Sequence, residues 1–375
     1  MTISGNNLII PDSSVDALIL ADANSGAVIW RQSIPFFPLS NAVLHGSDIF
    51  LVGSYSNLPG YYFEWYTIDG TYRGRILIGT NGGENPNSEQ IHLIGDAIFW
   101  GDRGYSDTDP SGDLWRFDLT QPLTLIGDHL YAATADGLKI MYHKSNPDIN
   151  VIGGQVLGIG SDVVFTYADS LTMPMMHFPT TVVRLNAGTG AVVWEYQTAK
   201  ARSFWWNDLI LAGDKIVANG SLGVELIDAT SPGTMAPFWA YDDTLHENFD
   251  TGLVVGNILF EVSMASATAV RAYSMTDGSE LWCLPNTTSV GQGAQYNNGV
   301  LYVSEQEGVL AVDTAKGKWI GRDDSRPGYI DQVSNTLAYN NLFIYFSNQT
   351  NPKGRIEALT SYPKIWITRL MLRNP

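Results

Sequence analysis

Asp107-Thr108-Asp109-Pro110-Ser111-Gly112-Asp113, followed by Asp118, is the run whose residue types and spacing most resemble a reactive or binding motif. It sets side-chain oxygens at positions 1, 3, 5 and 12 of a twelve-residue stretch, with Gly at position 6. Calcium loops use this spacing, because carboxylates supply hard oxygen ligands and Gly permits the sharp turn. Asp rather than Glu at position 12, and Pro at position 4, depart from the pattern. The favoured reading is a solvated acidic hairpin loop between strands, with a calcium loop as the alternative. No cofactor is expected beyond calcium at Asp107, Asp109, Ser111, Asp113 and Asp118. Poorer acidic runs, Asp242-Asp243 to Asp250 and Asp323-Asp324, lack the spacing.

Other catalytic templates find no match, so no catalytic residue is assigned. His45, His92, His129, His143, His177 and His246 form neither H-x-H nor H-E-x-x-H. There is no G-x-S-x-G elbow and no phosphate-binding P-loop. Glycoside hydrolysis needs only two carboxylates, which many loops here offer, so it is permitted rather than indicated. Cys283 is the sole cysteine, which excludes an intrachain disulfide and a Cys-based metal site. Its setting, Leu281-Trp282-Cys283-Leu284, predicts a core position. Asn219, Asn286 and Asn348 head N-x-S/T sequons, about as many as chance gives.

The elements that carry these residues follow from composition. Charged residues are 16% of the 375, against about 25% in an ordinary domain. Thirty-seven glycines and an aromatic content of 11% accompany that low charge. Together they read as all-β with many tight turns. The net charge of −17 gives no electrostatic footprint for a phosphate backbone, so nucleic-acid binding is not expected. No apolar run reaches 18 residues, so no membrane insertion is expected. Met1–Gly5 lacks the basic and apolar stretches of a signal peptide, which favours a cytoplasmic or virion-associated protein over Sec export.

A repeat organises the chain. Ala21–Trp30, Leu185–Trp194 and Ala272–Trp282 each give a strand, a polar turn ending in Gly26, Gly190 or Gly278, then a strand with Trp four residues after that Gly. Weaker copies end at Trp239, Trp319 and Trp366. From Trp194 the steps are 45, 43, 37 and 47 residues, and Trp30 precedes Trp194 by 164, about four steps. Such a period, with a second strand pair upstream of each Trp, is the mark of a β-propeller with four strands per unit. Gly supplies the positive φ of the turn, and each Trp can wedge between adjacent sheets. Trp30, Trp194 and Trp282 are therefore expected to be buried at blade contacts.

The strand–(Asp/Asn)-x-x-(Thr/Ser)-Gly-x-x-x-Trp pattern resembles the tryptophan-docking repeat of the PQQ-like, or quinoprotein-type, β-propellers. The resemblance implies one domain over residues 1–375, a closed all-β propeller of four-stranded antiparallel blades, with eight blades expected and seven or nine as alternatives. Residues 88–150 are irregular: Gln90–Thr120 and Pro122–His143 read as partial units, the first without its outer strand. Ile365–Leu372 is expected to supply the strand that closes the ring.

The resemblance has an enzymatic branch, the quinone-dependent dehydrogenases, with a cofactor on the propeller axis above calcium, an Asp base and a disulfide between adjacent cysteines. One cysteine precludes that disulfide, and no acidic residue matches the base. The non-enzymatic branch includes the bacterial outer-membrane assembly propellers, which are lipoproteins; no lipobox Cys stands near Met1. The leading expectation is thus a non-enzymatic scaffold that binds other proteins, or copies of itself, in a virion or a surface complex. A PQQ-dependent dehydrogenase and a carbohydrate-binding or carbohydrate-cleaving propeller are the alternatives. Phe204-Trp205-Trp206-Asn207 and Tyr61-Tyr62-Phe63-Glu64-Trp65 are the best candidates for adhesive segments, although their place near strand starts favours packing between blades for both.

Overall fold

The computed structural model describes residues 2–12, 16–55, 58–79, 91–101, 112–144, 150–152, 156–169, 180–198, 209–220, 223–231, 239–240, 249–263, 269–285, 290–305, 308–323, 336–339, 342–347 and 355–360. Among these residues there is no helix. The strands form eight sheets, taken here in chain order.

Sheet 1 pairs Thr2–Ser4, Asn7–Asp12, Ala17–Asp22 and Val28–Ser33 in sequence. Sheet 3 holds His92–Ile94, Ala97–Gly101, Gly112–Asp118 and Leu138–Lys144. Sheet 4 has Asn150–Ile152 and Leu157–Ile159 sharing one edge of Asp162–Asp169, then Thr180–Asn186 and Val192–Gln197. Sheet 5 runs Leu209–Ala212, Lys215–Gly220, Gly223–Asp228 and Trp239–Ala240. Sheet 6 is Phe249–Val255, Ile258–Ser263, Ala269–Ser274 and Glu280–Pro285, and sheet 7 is Val290–Asn297, Val300–Glu305, Gly308–Asp313 and Lys318–Asp323.

Those six are antiparallel blades four strands wide, so among the described residues the expectation of eight such blades is corrected to six. Sheet 8 shows three strands, Thr336–Tyr339, Leu342–Ser347 and Arg355–Thr360. Ile365–Leu372, expected to close a ring, lies outside the described residues, as does Trp366.

Sheet 2 departs most from the repeat. Its strands Phe37–Pro38, Val43–His45, Asp48–Tyr55, Leu58–Thr67 and Tyr72–Gly79 are followed along the sheet by Leu130–Ala133 and then Leu123–Gly127. That last hairpin leaves sheet 3 after its third strand and pairs in parallel with Tyr72–Gly79. The chain then returns, and Leu138–Lys144 becomes the outer strand of sheet 3. The missing outer strand of Gln90–Thr120 is therefore present, and Pro122–His143 is no separate blade. The hairpin covers an edge that other sheets leave open.

Gly74 makes this close approach feasible. Its φ is 145°, and a Cβ there would stand 2.5 Å from the His129 carbonyl oxygen. The Arg75 N–H donates to that same oxygen at 2.8 Å.

Internal contacts divide the chain into two compact units, one of Met1–Val15, Ile19–Trp30 and Tyr241–Pro375, the other of Asp16–Leu18 and Arg31–Ala240. Within the second unit, Val43–His45, His92–Ile94, Leu157–Ile159 and Leu209–Ala212 stand side by side, one from each successive sheet. Within the first, Phe249–Val255, Val290–Asn297, Thr336–Tyr339 and Thr2–Ser4 do the same.

Cores lie between successive sheets. Ile98 and Trp100 pack toward sheet 2 with Phe50, Phe63 and Ile76, whereas Ala97 and Phe99 of the same strand pack toward sheet 4 with Phe165 and Val183. Successive side chains of a strand point to opposite faces, so one strand serves two cores. Each Phe or Val so buried contributes about 1.5–3 kcal/mol. The apolar runs in the sequence reflect this two-sided burial.

Candidate functional site

The recurring turn behaves as its residue types require. The Asp22 carboxylate accepts from the Asn24 and Ser25 amides and from the Ser25 hydroxyl, and the Asn186 side chain does the same for Gly188 and Thr189. These bonds hold the Asp22 carboxyl below the usual carboxylate range, the Ser25 hydroxyl contributing most. Gly26, Gly190 and Gly278 have φ of 69°, 75° and 72°, and each donates its N–H to the carbonyl four residues back.

Trp194 and Trp282 dock onto the next sheet, as half-buried rather than buried plates. Trp194 Nε1 donates at 3.1 Å to the Ala229 carbonyl of sheet 5, and Arg184 Nη1 donates to the same oxygen. Trp282 Nε1 donates at 3.0 Å to the Thr314 carbonyl of sheet 7. There Trp282 lies flat on Gly317, where a Cβ would come within 2.4 Å of its Cγ. Trp30 is also half-buried, and Trp319 is 37% exposed. Trp239 forms the outer strand of sheet 5 with Ala240.

Strand alternation adds latches that the repeat pattern did not reveal. Trp194 and Tyr196 face sheet 5, and Tyr196 donates its hydroxyl to Glu225 at 3.0 Å. Glu195, between them, faces the other way and accepts from Tyr142 of sheet 3 at 2.9 Å. Burial and the Glu225 charge push Tyr196 up to about 12. The local signal was the Trp-Glu-Tyr order itself, which on a strand must present Glu to the opposite neighbour.

The same alternation corrects Cys283. With Trp282 turned toward sheet 7, Cys283 points outward from an outer strand and is exposed rather than core.

The acidic run divides at the boundary of the described residues. Asp107, Asp109 and Ser111 lie outside them. Asp113 and Asp118 sit near opposite ends of the extended strand Gly112–Asp118, which at about 3.3 Å per residue separates them by roughly 15 Å. Asp113 bonds His143 Nδ1 at 2.7 Å. Asp118 accepts from Arg116 and from the Thr120 amide and hydroxyl, so its oxygens serve its own turn. Among the described residues, no three His, Cys, Asp or Glu side chains form a group that could hold a metal.

Two features remain with the character of a site. The first is the outer strands. Val28 and Ile29 before Trp30, Val192 and Val193 before Trp194, Leu281 before Trp282, and Ile320 after Trp319 are all exposed. Each lies on the strand that ends its sheet among the described residues, so the apolar side chains sit on sheet edges.

The second is a polar cluster within sheet 2. Tyr61–Trp65 is interior at Tyr62, Phe63 and Glu64, in keeping with packing rather than adhesion. Glu64 is fully buried, accepts from the Tyr72 hydroxyl at 3.1 Å, and has no partner at Oε1. Burial pushes its carboxyl up to about 7, against the downward pull of Tyr55, Tyr72 and Arg75. Arg75 lies over the rings of Tyr55 and Tyr62, at 5.1 and 5.4 Å. Phe204–Asn207, the other candidate adhesive segment, lies outside the described residues.

No known protein-family profile matches the chain, and no curated protein sequence matches it. Solved structures do share its fold. BamB from Moraxella catarrhalis has a TM-score of 0.58 and 12% identity, covering 92% of each chain. The dihydro-heme d1 dehydrogenase NirN in complex with DHE has a TM-score of 0.65 and 11% identity, covering 98% of this chain and 73% of that one. The quinohemoprotein alcohol dehydrogenase ADHIIG from Pseudomonas putida HK5 has a TM-score of 0.59 and 10% identity, covering 94% and 69%. At such identities the likeness concerns architecture alone, and the chain shares a β-propeller fold with these proteins.

Proposed function

We propose that the protein is a non-enzymatic scaffold whose outer strands dock a basic partner protein within a larger assembly. The observation that carries this reading is the repeated exposure of apolar residues on edge strands: Ile29 at 55%, Val193 at 51% and Leu281 at 48%. Apolar side chains beside unpaired backbone groups are what an added strand from a partner engages: the main chain supplies affinity and alternate side chains supply selectivity. The net charge of −17 selects the occupant. A second copy brings the same charge and is repelled, whereas a basic segment is steered toward the rim.

The test is the mass of the protein isolated gently from its source. The expected result is a particle well above 41.1 kDa at low salt, with the Val193→Lys and Leu281→Lys variant shifted toward the monomer. Elution as a 41.1 kDa monomer at every concentration and salt, for both proteins, contradicts the reading.

A further inference from the structure

A cleft of about 400 Å³ opens beside the Glu64 cluster, lined by Asp16, Ile34, Pro35, Phe36, Phe37, Ser54 and Tyr55. Its walls differ in character. Phe36 is buried against Gly53, where a Cβ would come within 2.4 Å of its ring, so that wall is fixed. Phe37 is 54% exposed at the mouth, and Tyr55 packs on Phe36 with ring centroids 5.8 Å apart. The backbone also holds the mouth together, because the Ile34 N–H donates to the Asp16 carbonyl at 2.8 Å.

Charge decides what such a cleft would take. Asp16 is the one charged side chain among the lining residues, and no cation among the described residues pairs with it. Aromatic faces attract cations through the ring quadrupole, more so where water is partly excluded. The same cluster already displays this mode, since the Arg75 guanidinium lies over Tyr55 and Tyr62. Arg75 stands opposite Glu64 on the neighbouring strand, and the Glu64 carboxylate offsets its charge only as pH rises through about 7, so the cleft is best probed at pH 8. An anion would be repelled by Asp16, whereas a cation gains from both the carboxylate and the ring faces.

We propose that this cleft binds an organic cation, a guanidinium or alkylammonium group that pairs with Asp16 and lies against Phe37 and Tyr55. The inference does not depend on docking at the rim.

The test titrates the full-length protein with three probes, followed by calorimetry: acetyl-Gly-Arg-Gly-amide, its citrulline counterpart, and free agmatine. Citrulline keeps the size and planarity of Arg without the charge. The expected result is saturable binding of the Arg peptide, weakened by salt and about tenfold or more weaker for citrulline. Agmatine binding as well as the peptide assigns the site to a small free amine, and peptide binding clearly tighter assigns it to a protein side chain; both support the cation site. Asp16→Asn and Phe37→Ala should each weaken binding at least about fivefold. Both positions are exposed, and Asn tolerates the positive φ of 46° at residue 16, so folding is retained and verifiable by near-ultraviolet dichroism. Absence of saturable binding, equal binding of citrulline, or indifference to both substitutions overturns the proposal.

Discussion

Glu64 and Arg75 stand directly opposite each other on neighbouring strands and form no ion pair. Opposed residues have Cβ atoms about 5 Å apart, close enough for the two side chains to meet. Arg75 instead turns its guanidinium onto Tyr55 and Tyr62, leaving Glu64 Oε1 and its own Nε without partners. A fully buried carboxylate is thus incompletely compensated, and burial is what raises its pKa to about 7.

The first prediction follows from that shift. A carboxyl with a folded-state value of about 7 and an ordinary value near 4.5 binds its proton more tightly in the folded protein. Its contribution is fully present below about pH 4.5 and is lost as pH rises through about 7, amounting to roughly 3 kcal/mol at most. Urea midpoints at pH 5 and pH 8 should therefore differ, with the protein less stable at pH 8. Glu64→Gln should shrink that difference and leave the protein more stable than wild type at pH 8. An equal pH response in both proteins refutes the assignment.

Trp282 and Gly317 give the second prediction. Trp282→Ala should cost about 2–4 kcal/mol, through lost packing and a lost bond to the Thr314 carbonyl. Gly317→Ala should cost about 1–3 kcal/mol, because its Cβ would overlap the indole and its φ is 58°. The two should couple: once Trp282 is Ala, only the backbone strain at Gly317 remains. Additive costs in a double-mutant cycle would separate the two residues.

The third prediction concerns the hairpin that covers sheet 2. Tyr131 packs edge-on against Trp65 at 5.9 Å, while Gly74 lets the His129 carbonyl approach. Gly74→Ala should lift the hairpin without unfolding the sheet. The amide of Arg75, bonded to the His129 oxygen, should then exchange at least about tenfold faster, while the amide of Phe63, on the next strand, stays protected. Unchanged exchange at Arg75 would show that the parallel pairing does not depend on Gly74.

Much of this fold is legible in the chain, for physical reasons specific to each element. Asp22 to Gly26 and Asn186 to Gly190 encode their turns locally, since one side chain caps the amides that follow and Gly takes the positive φ. Trp194 and Trp282 announce a contact with the next sheet by their spacing, but not how deep they sit. Leu123–Ala133 was unreadable as an added edge, because its pairing with Tyr72–Gly79 joins residues about fifty-five apart and parallel partners carry no turn signal. Glu64 is legible as interior, since Glu between Phe63 and Trp65 on a strand buried on both faces has nowhere to go but inward. The apolar neighbours of Cys283 point to the core, but the alternation that Trp282 imposes turns its side chain to the exposed face.

The central claim is that open outer strands, rather than faces or interiors, engage a basic protein partner. Hydrogen exchange on the assembly isolated from its source, compared with the free protein, tests it most directly. The account predicts slowed exchange along Val192–Gln197, Glu280–Pro285 and Lys318–Asp323, with Tyr72–Gly79 unchanged because its edge is already covered. Slowed exchange confined to other strands or loops, with those three outer strands exchanging as fast as in the free protein, would contradict it.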